Sequence, residues 1–234
     1  MNETPATPDR VLSRQDYPGG YAQLRVSSRL AAGLLPGHGL GVDGTVWAVL
    51  QPASRQGYAD CLRRGAPEPG LEPGREVAVS GPFGEPFDLD AATPRALLLA
   101  DGDGIAPVTF LARVLPARQP RIKPFALFEL APPLPFKPPP SRIMAPGLPA
   151  GVIAALPLLE DWAIPSRIAC PAGDVSGCFE GEVAELARRW LDIAQGAADV
   201  TVFACGGPKL LAAARELAGD YRLACQTREP FARP

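Results

Sequence analysis

The sequence predicts a two-domain β plus α/β protein, an N-terminal antiparallel β-barrel or sandwich followed by a doubly wound parallel sheet covered by helices. Three observations predict it. From Tyr21 to about Leu89, short apolar stretches alternate with Gly/Pro punctuation, a texture of strands and turns. After Pro94, apolar runs alternate with helix-period segments over about 140 residues. Two glycine-rich loops, 101–107 and 203–209, each stand between an apolar run and a helix. The expected division is a loosely ordered entry at 1–16, a barrel at 17–92 and an α/β domain at 93–234.

In the first half, Ala22–Val26, Thr45–Leu50 and Glu76–Val79 read as strands. The last lies between the turns Leu71–Arg75 and Ser80–Gly84, and the Arg63-Arg64 pair falls on a turn. In the second half, Arg95–Ala100 reads as a strand and Val108–Arg118 as a helix with apolar residues at 108, 111, 112 and 115. Phe125–Leu130 completes a βαβ unit. Ala131–Pro149 carries eight prolines, which no helix or central strand accepts, so it reads as a surface excursion. Then come Ala150–Leu159 (helix), Ser166–Cys170 (strand), Gly181–Ala194 (helix), Val200–Ala204 (strand), Lys209–Ala218 (helix) and Arg222–Cys225 (strand).

Composition narrows the chemistry. The 234 residues carry 23 Lys plus Arg against 25 Asp plus Glu, so no positive excess favours nucleic acid or anionic membrane. The single histidine, His38, excludes multi-histidine metal sites and disfavours a Ser/His/Asp relay. Five scattered cysteines without a C-x-x-C pattern indicate neither a zinc knuckle nor a disulfide framework. No metal site is expected. A polar N-terminus and the lack of a long apolar run predict a soluble, cytoplasmic protein.

The loop Asp101-Gly102-Asp103-Gly104-Ile105-Ala106-Pro107 has a Gly-x-Gly-x-x-Pro spacing. It is either a pyrophosphate-binding turn at a helix N-terminus or an ordinary tight turn. Asp101 and Asp103 would repel phosphate if they pointed inward. The loop Cys205-Gly206-Gly207-Pro208 places Cys205 at a strand's carboxyl end, where α/β domains bind ligands. Cys205 is either a residue beside the reacting ring of a ligand or a buried small hydrophobe, and Cys170, Cys178 and Cys225 read as interior side chains.

Several segments carry a family resemblance. Leu98–Pro107 resembles the nicotinamide-nucleotide loop of the ferredoxin reductase superfamily, Gly81-Pro82-Phe83-Gly84-Glu85-Pro86-Phe87 the end of its flavin barrel, and Val202–Gly206 its Cys-Gly-Pro strand. Within that superfamily, the order from about Gly74 to Gln226 is similar to the electron transfer subunit of dihydroorotate dehydrogenase in pyrimidine biosynthesis. The resemblance implies an oxidoreductase whose barrel holds FAD and whose second domain docks NAD(P)H. Electrons would pass through the flavin to a partner dehydrogenase catalytic subunit. It places Gly102, Gly104, Ile105, Ala106 and Pro107 against the pyridine nucleotide, with Cys205, Gly206 and Gly207 near the nicotinamide.

The chain departs from the family pattern. The cluster cysteines of a C-terminal tail are absent, so a [2Fe-2S] centre of that kind is not expected. In place of the flavin motif Arg-x-Phe/Tyr-Ser/Thr stands Thr45-Val46-Trp47-Ala48, where Trp47 is either a stacking face for flavin or barrel core. Two functions follow: an NAD(P)H–flavin electron transfer protein without a cluster, or a degenerate homologue that keeps the scaffold and acts as a binding or regulatory partner.

Overall fold

A computed structural model describes residues 8–65, 69–171, 173, 175–193 and 199–230. The first half is a six-stranded antiparallel sheet of β1 (Val11–Tyr17), β2 (Tyr21–Ser27), β3 (Gly39–Val42), β4 (Thr45–Ala53), β5 (Tyr58–Arg64) and β6 (Val79–Phe83). Their order is β1-β2-β5-β4-β3-β6. The sheet is barrel-like but not closed by a ladder. The segment before β6 instead meets β1 through an Arg10–Glu76 bridge and a Val11 N–H to Arg75 carbonyl bond of 2.9 Å.

Alternation decides which side chains fill this barrel. Leu24, Val26, Leu40, Val42, Trp47 and Val49 point inward. Ala48 and Leu50, from the opposite face of β4, pack against Ala106 of the second domain. The two-residue turn Asp43-Gly44 joins β3 to β4, with φ of 48° and 86°, the left-handed pair a tight hairpin requires.

The second half is a parallel sheet of β7 (Arg95–Asp101), β8 (Lys123–Glu129), β9 (Ser166–Ala169), β10 (Val200–Cys205) and β11 (Ala224–Arg228), in the order β11-β10-β7-β8-β9. Its helices are α1 (Ile105–Arg118), α2 (Pro157–Asp161), α3 (Val183–Ile193) and α4 (Pro208–Tyr221). Leu97, Leu98 and Leu99 are all fully buried because β7 is covered on both faces, so its sequence is a continuous apolar run. Leu98 joins the core under α1, whereas Leu97 and Leu99 join the core under α3 and α4. The strand order reverses between β7 and β10, which opens a switch point at their carboxyl ends.

Five expectations are corrected. Part of the entry segment is ordered: Val11–Tyr17 forms β1, tied to β2 from Val11↔Val26 to Tyr17↔Tyr21, while residues 1–7 lie outside the described set. The strand read at Glu76–Val79 begins at Val79 and runs through Pro82. That is tolerated because β6 is an edge strand, where a missing N–H leaves no partner unpaired. The helix expected at Ala150–Leu159 is only Pro157–Asp161, since Pro157 must start a helix rather than continue one. Ile153 and Ala154 instead donate to the Gly177 carbonyl at 2.9 and 2.7 Å. Arg63 and Arg64, expected on a turn, end β5. The helix expected at 181–194 is Val183–Ile193, and residue 194 lies outside the described residues.

Candidate functional site

The end of β7 and the end of β10 bring the two glycine loops together. Gly102–Gly104 forms one turn of 3-10 helix leading directly into α1. A Cβ on Gly104 would overlap the Cys205 carbonyl, so this glycine is demanded by loop packing. Gly102 has φ of 49° and open space around it, so it answers a backbone requirement alone. Ile105, Ala106 and Pro107 are buried in the first turn of α1.

Asp101 stitches these loops. Its Oδ1 accepts the Gly207 N–H at 2.7 Å, and a Cβ on Gly206 would overlap the same carboxylate. A carboxylate of the chain therefore stands at the α4 N-terminus, where free N–H groups and the helix dipole attract anions. Glu129, at the end of β8, does the same for α3 by accepting the Val183 N–H at 2.9 Å. Lys209 is engaged with Glu182 at 2.6 Å. The crevice among these groups has a volume of only about 20 Å³. Burial raises the Asp101 carboxyl above its usual value, against the opposing pull of the Gly207 N–H and of Arg64.

Cys205 lies at the switch point but is 1% exposed and packs into the core under α1. Burial pushes its thiol up, so it remains protonated at neutral pH. Trp47 stands apart from all these residues. It is 1% exposed inside the barrel, among Leu24, Leu40 and Val42, and its indole N–H has no partner.

The large opening lies elsewhere along the same junction. A groove of about 640 Å³ runs between the barrel and the 3-10 turn, lined by Gly44, Thr45 and Val46, by Arg63 and Arg64, by Ser80 and Phe83, and by Asp103 and Pro230. Its volume falls within the range of small-molecule and cofactor sites. Asp103 Oδ1 accepts the Arg64 N–H at 2.5 Å, joining the 3-10 turn to the end of β5. Burial raises the Asp103 carboxyl, and the Arg64 N–H and the Arg63 and Arg64 guanidiniums oppose that rise. Arg63 and Arg64 thus share the groove with Asp103, and the Arg64 guanidinium also donates to the Gly19 carbonyl at 3.4 Å and lies 5.6 Å from the Tyr21 ring centre. Sequence reasoning missed Arg63 and Arg64. The available signal was their place at the end of an alternating strand, Tyr58–Arg64, directly before Gly65.

A second, apolar cavity of about 300 Å³ lies between the β1–β2 hairpin, the start of α1 and the proline-rich excursion, with Tyr21, Leu62, Ile105 and Phe136 among its walls. The excursion is a packed loop over this part of its length, since Leu134 and Phe136 lie against the main core. A polar relay fixes barrel to α/β domain nearby. Asp60, fully buried, accepts two bonds from Arg25 at 2.7 and 2.9 Å and one from Gln51 at 2.9 Å. Gln51 accepts from Arg113 of α1 at 2.6 Å, and Arg113 lies 4.6 Å from the Trp162 ring centre.

Among the described residues, no group of three or more His, Cys, Asp or Glu could hold a metal ion. Nor is any helix among them long and apolar enough to cross a membrane.

No family model matches the chain, and no curated protein does. Solved structures do match its fold. An Amycolatopsis cytochrome P450 reductase superposes with a TM-score of 0.71 at 15% identity, covering 95% of this chain and 69% of that one. A ferredoxin NADP+ reductase from Neisseria gonorrhoeae with bound FAD and NADP gives 0.63 at 12% identity, over 96% of this chain and 98% of the other. The CS-b5R domains of human Ncb5or, in an NAD+ form, give 0.65 at 16% identity, over 94% and 68%. The chain has the two-domain fold of ferredoxin reductase-like proteins.

Proposed function

We propose that this chain is a reductase-type electron transfer protein that holds a flavin nucleotide in the groove between its barrel and its α/β domain. One observation carries the reading: the roughly 640 Å³ groove places Arg63 and Arg64 beside the Gly44–Val46 edge at the junction of the two domains. The guanidiniums match the charge and fork geometry of a pyrophosphate. Phe83 supplies an aromatic wall and Ser80 a hydroxyl. On the outer face of β4, Ala48 and Leu50 pack with Ala106, and Leu50 lines the separate apolar cavity, which offers no cation for a phosphate. Bound flavin would supply the one- and two-electron chemistry. The protein's share would be to hold its phosphates through Arg63 and Arg64 and to position it against Ser80 and Phe83. Fold-level likeness to structures that carry FAD and NADP supports the same choice. That NAD(P)H is the reductant and a dehydrogenase the acceptor belongs to the proposal by resemblance alone.

The test is a titration of FAD followed by quenching of its fluorescence. Saturable one-to-one binding, weakened about tenfold or more in Arg63→Ala/Arg64→Ala, is the expected result, a loss near 1.4 kcal/mol. Absence of saturable binding to the wild type would overturn the proposal.

A second reading, a scaffold that works as a binding partner without nucleotide, is favoured by one specific observation. The N-termini of α4 and α3 at the sheet's carboxyl edge are already occupied by the Asp101 and Glu129 carboxylates. A chain that binds neither FAD nor NAD(P)H would select this second reading.

A further inference from the structure

Cys170 and Cys178 bracket the loop that follows β9, and the backbone returns one to the other. Ala169 bridges Phe179 in parallel register, the Cys170 N–H donates to the Phe179 carbonyl at 2.8 Å, and the Phe179 N–H donates to the Ile168 carbonyl at 2.9 Å. The Cys178 N–H donates to Val175 at 2.9 Å, which turns the chain back just before the bridge. Both side chains end in the same corner of the core: Cys170 at 1% exposure, Cys178 half-buried and packed against the same cluster. This backbone pairing sets the two residues side by side, and their thiols interact with one another. The remaining cysteines have other surroundings. Cys61 and Cys205 are buried in separate places, and the Cys225 thiol donates to the Ala214 carbonyl at 3.8 Å.

We propose that Cys170 and Cys178 form a reversible dithiol–disulfide pair, oxidised by hydrogen peroxide through the half-exposed Cys178. The Cys178 thiolate attacks one peroxide oxygen, the O–O bond breaks, and hydroxide leaves and takes up the proton that Cys178 gave up. The product is a sulfenic acid at Cys178. Cys170 then attacks that sulfur, an S–S bond forms, the S–O bond breaks, and the thiol proton leaves with the hydroxyl as water. In sum, two thiols and one peroxide give one disulfide and two waters. The contact with Cys170 makes disulfide closure faster than a second oxidation of Cys178. Closure would fix the loop whose Gly177 carbonyl accepts the Ile153 and Ala154 N–H groups, so the oxidised form anchors the 153–154 segment more firmly.

The experiment uses the whole protein and needs no flavin. Near-stoichiometric hydrogen peroxide should lower the thiols counted after denaturation from five to three, and dithiothreitol should restore five. Both cysteines lie in one tryptic peptide, Ile168–Arg188, which should lose the mass of two hydrogens. Cys178→Ser, at a half-exposed position, should keep its four remaining thiols under the same treatment. Five thiols remaining in the wild type, a sulfinic acid at Cys178 with Cys170 free, or a disulfide between other cysteines would each overturn the proposal.

Discussion

Gly102 and Gly104 stand two residues apart in one loop and answer to different physics. Gly104 faces the Cys205 backbone with no room for a Cβ, while Gly102 faces open space in a left-handed conformation. Gly104→Ala should therefore cost about 3 kcal/mol of stability through overpacking against backbone, and Gly102→Ala only about 1 kcal/mol. Urea denaturation reads the difference, and equal costs would contradict the packing account. Asp103 is the other decisive residue. Its raised carboxyl pKa means that folding penalises its charge. Its contribution to stability is accordingly greatest below the unfolded carboxylate value and is lost as pH rises through the folded one. Anion affinity in the groove follows the same direction: FAD should bind more tightly as pH falls from neutrality through the raised Asp103 value. Asp103→Asn keeps an acceptor for the Arg64 N–H and removes the charge. It should bind FAD about tenfold more tightly at neutral pH and lose the pH dependence, as measured by calorimetry at several pH values. A variant that retains the wild-type pH profile would show that another group governs it.

At the scale of elements, the joint between β4, β5 and α1 depends on Asp60. It is fully buried and accepts three side-chain hydrogen bonds, so Asp60→Ala leaves Arg25 and Gln51 without their acceptor. The expected loss is about 3 kcal/mol, read by denaturant unfolding, with Gln51→Ala costing less because Asp60 keeps both bonds from Arg25. A loss under about 1 kcal/mol for Asp60→Ala would remove the relay from the account. The elements legible in the sequence share one property. β7, β10, α1 and α4 are covered by the core, so their apolar pattern is imposed by burial; Leu97–Leu99 and Val202–Ala204 are all fully buried. β3 was hidden because Gly39 and Gly41 carry no side chain to alternate, and Gly41 is required where Ser80 and Phe83 approach its backbone. β1 was hidden because most of it faces solvent, with only Val11 buried. The segment 150–156 has apolar residues at a spacing that a helix would use, yet it buries them in extended form against Gly177.

For the whole molecule, the junction between domains holds both the glycine loops that the sequence singled out and the arginine groove that it did not. The loops were legible because a strand–glycine–helix order has a backbone reason to exist. Arg63 and Arg64 were not, because only the folded barrel carries the end of β5 to the 3-10 turn at Asp103. The same assembly explains why Trp47 cannot serve as a stacking face: pleat alternation sends it inward and leaves Ala48 to meet Ala106. The arginine-lined groove and the carboxylate-filled crevice offer an anion different surroundings, at two ends of one junction. On the proposal made above, the groove holds the flavin. The central claim is tested most directly by the absorption spectrum of the protein, purified without added cofactor and again after incubation with FAD and removal of the excess. The account predicts flavin bands at near-stoichiometric occupancy after incubation, lost in the Arg63→Ala/Arg64→Ala variant. A wild-type protein that stays colourless through incubation would contradict it and select the cofactor-free scaffold.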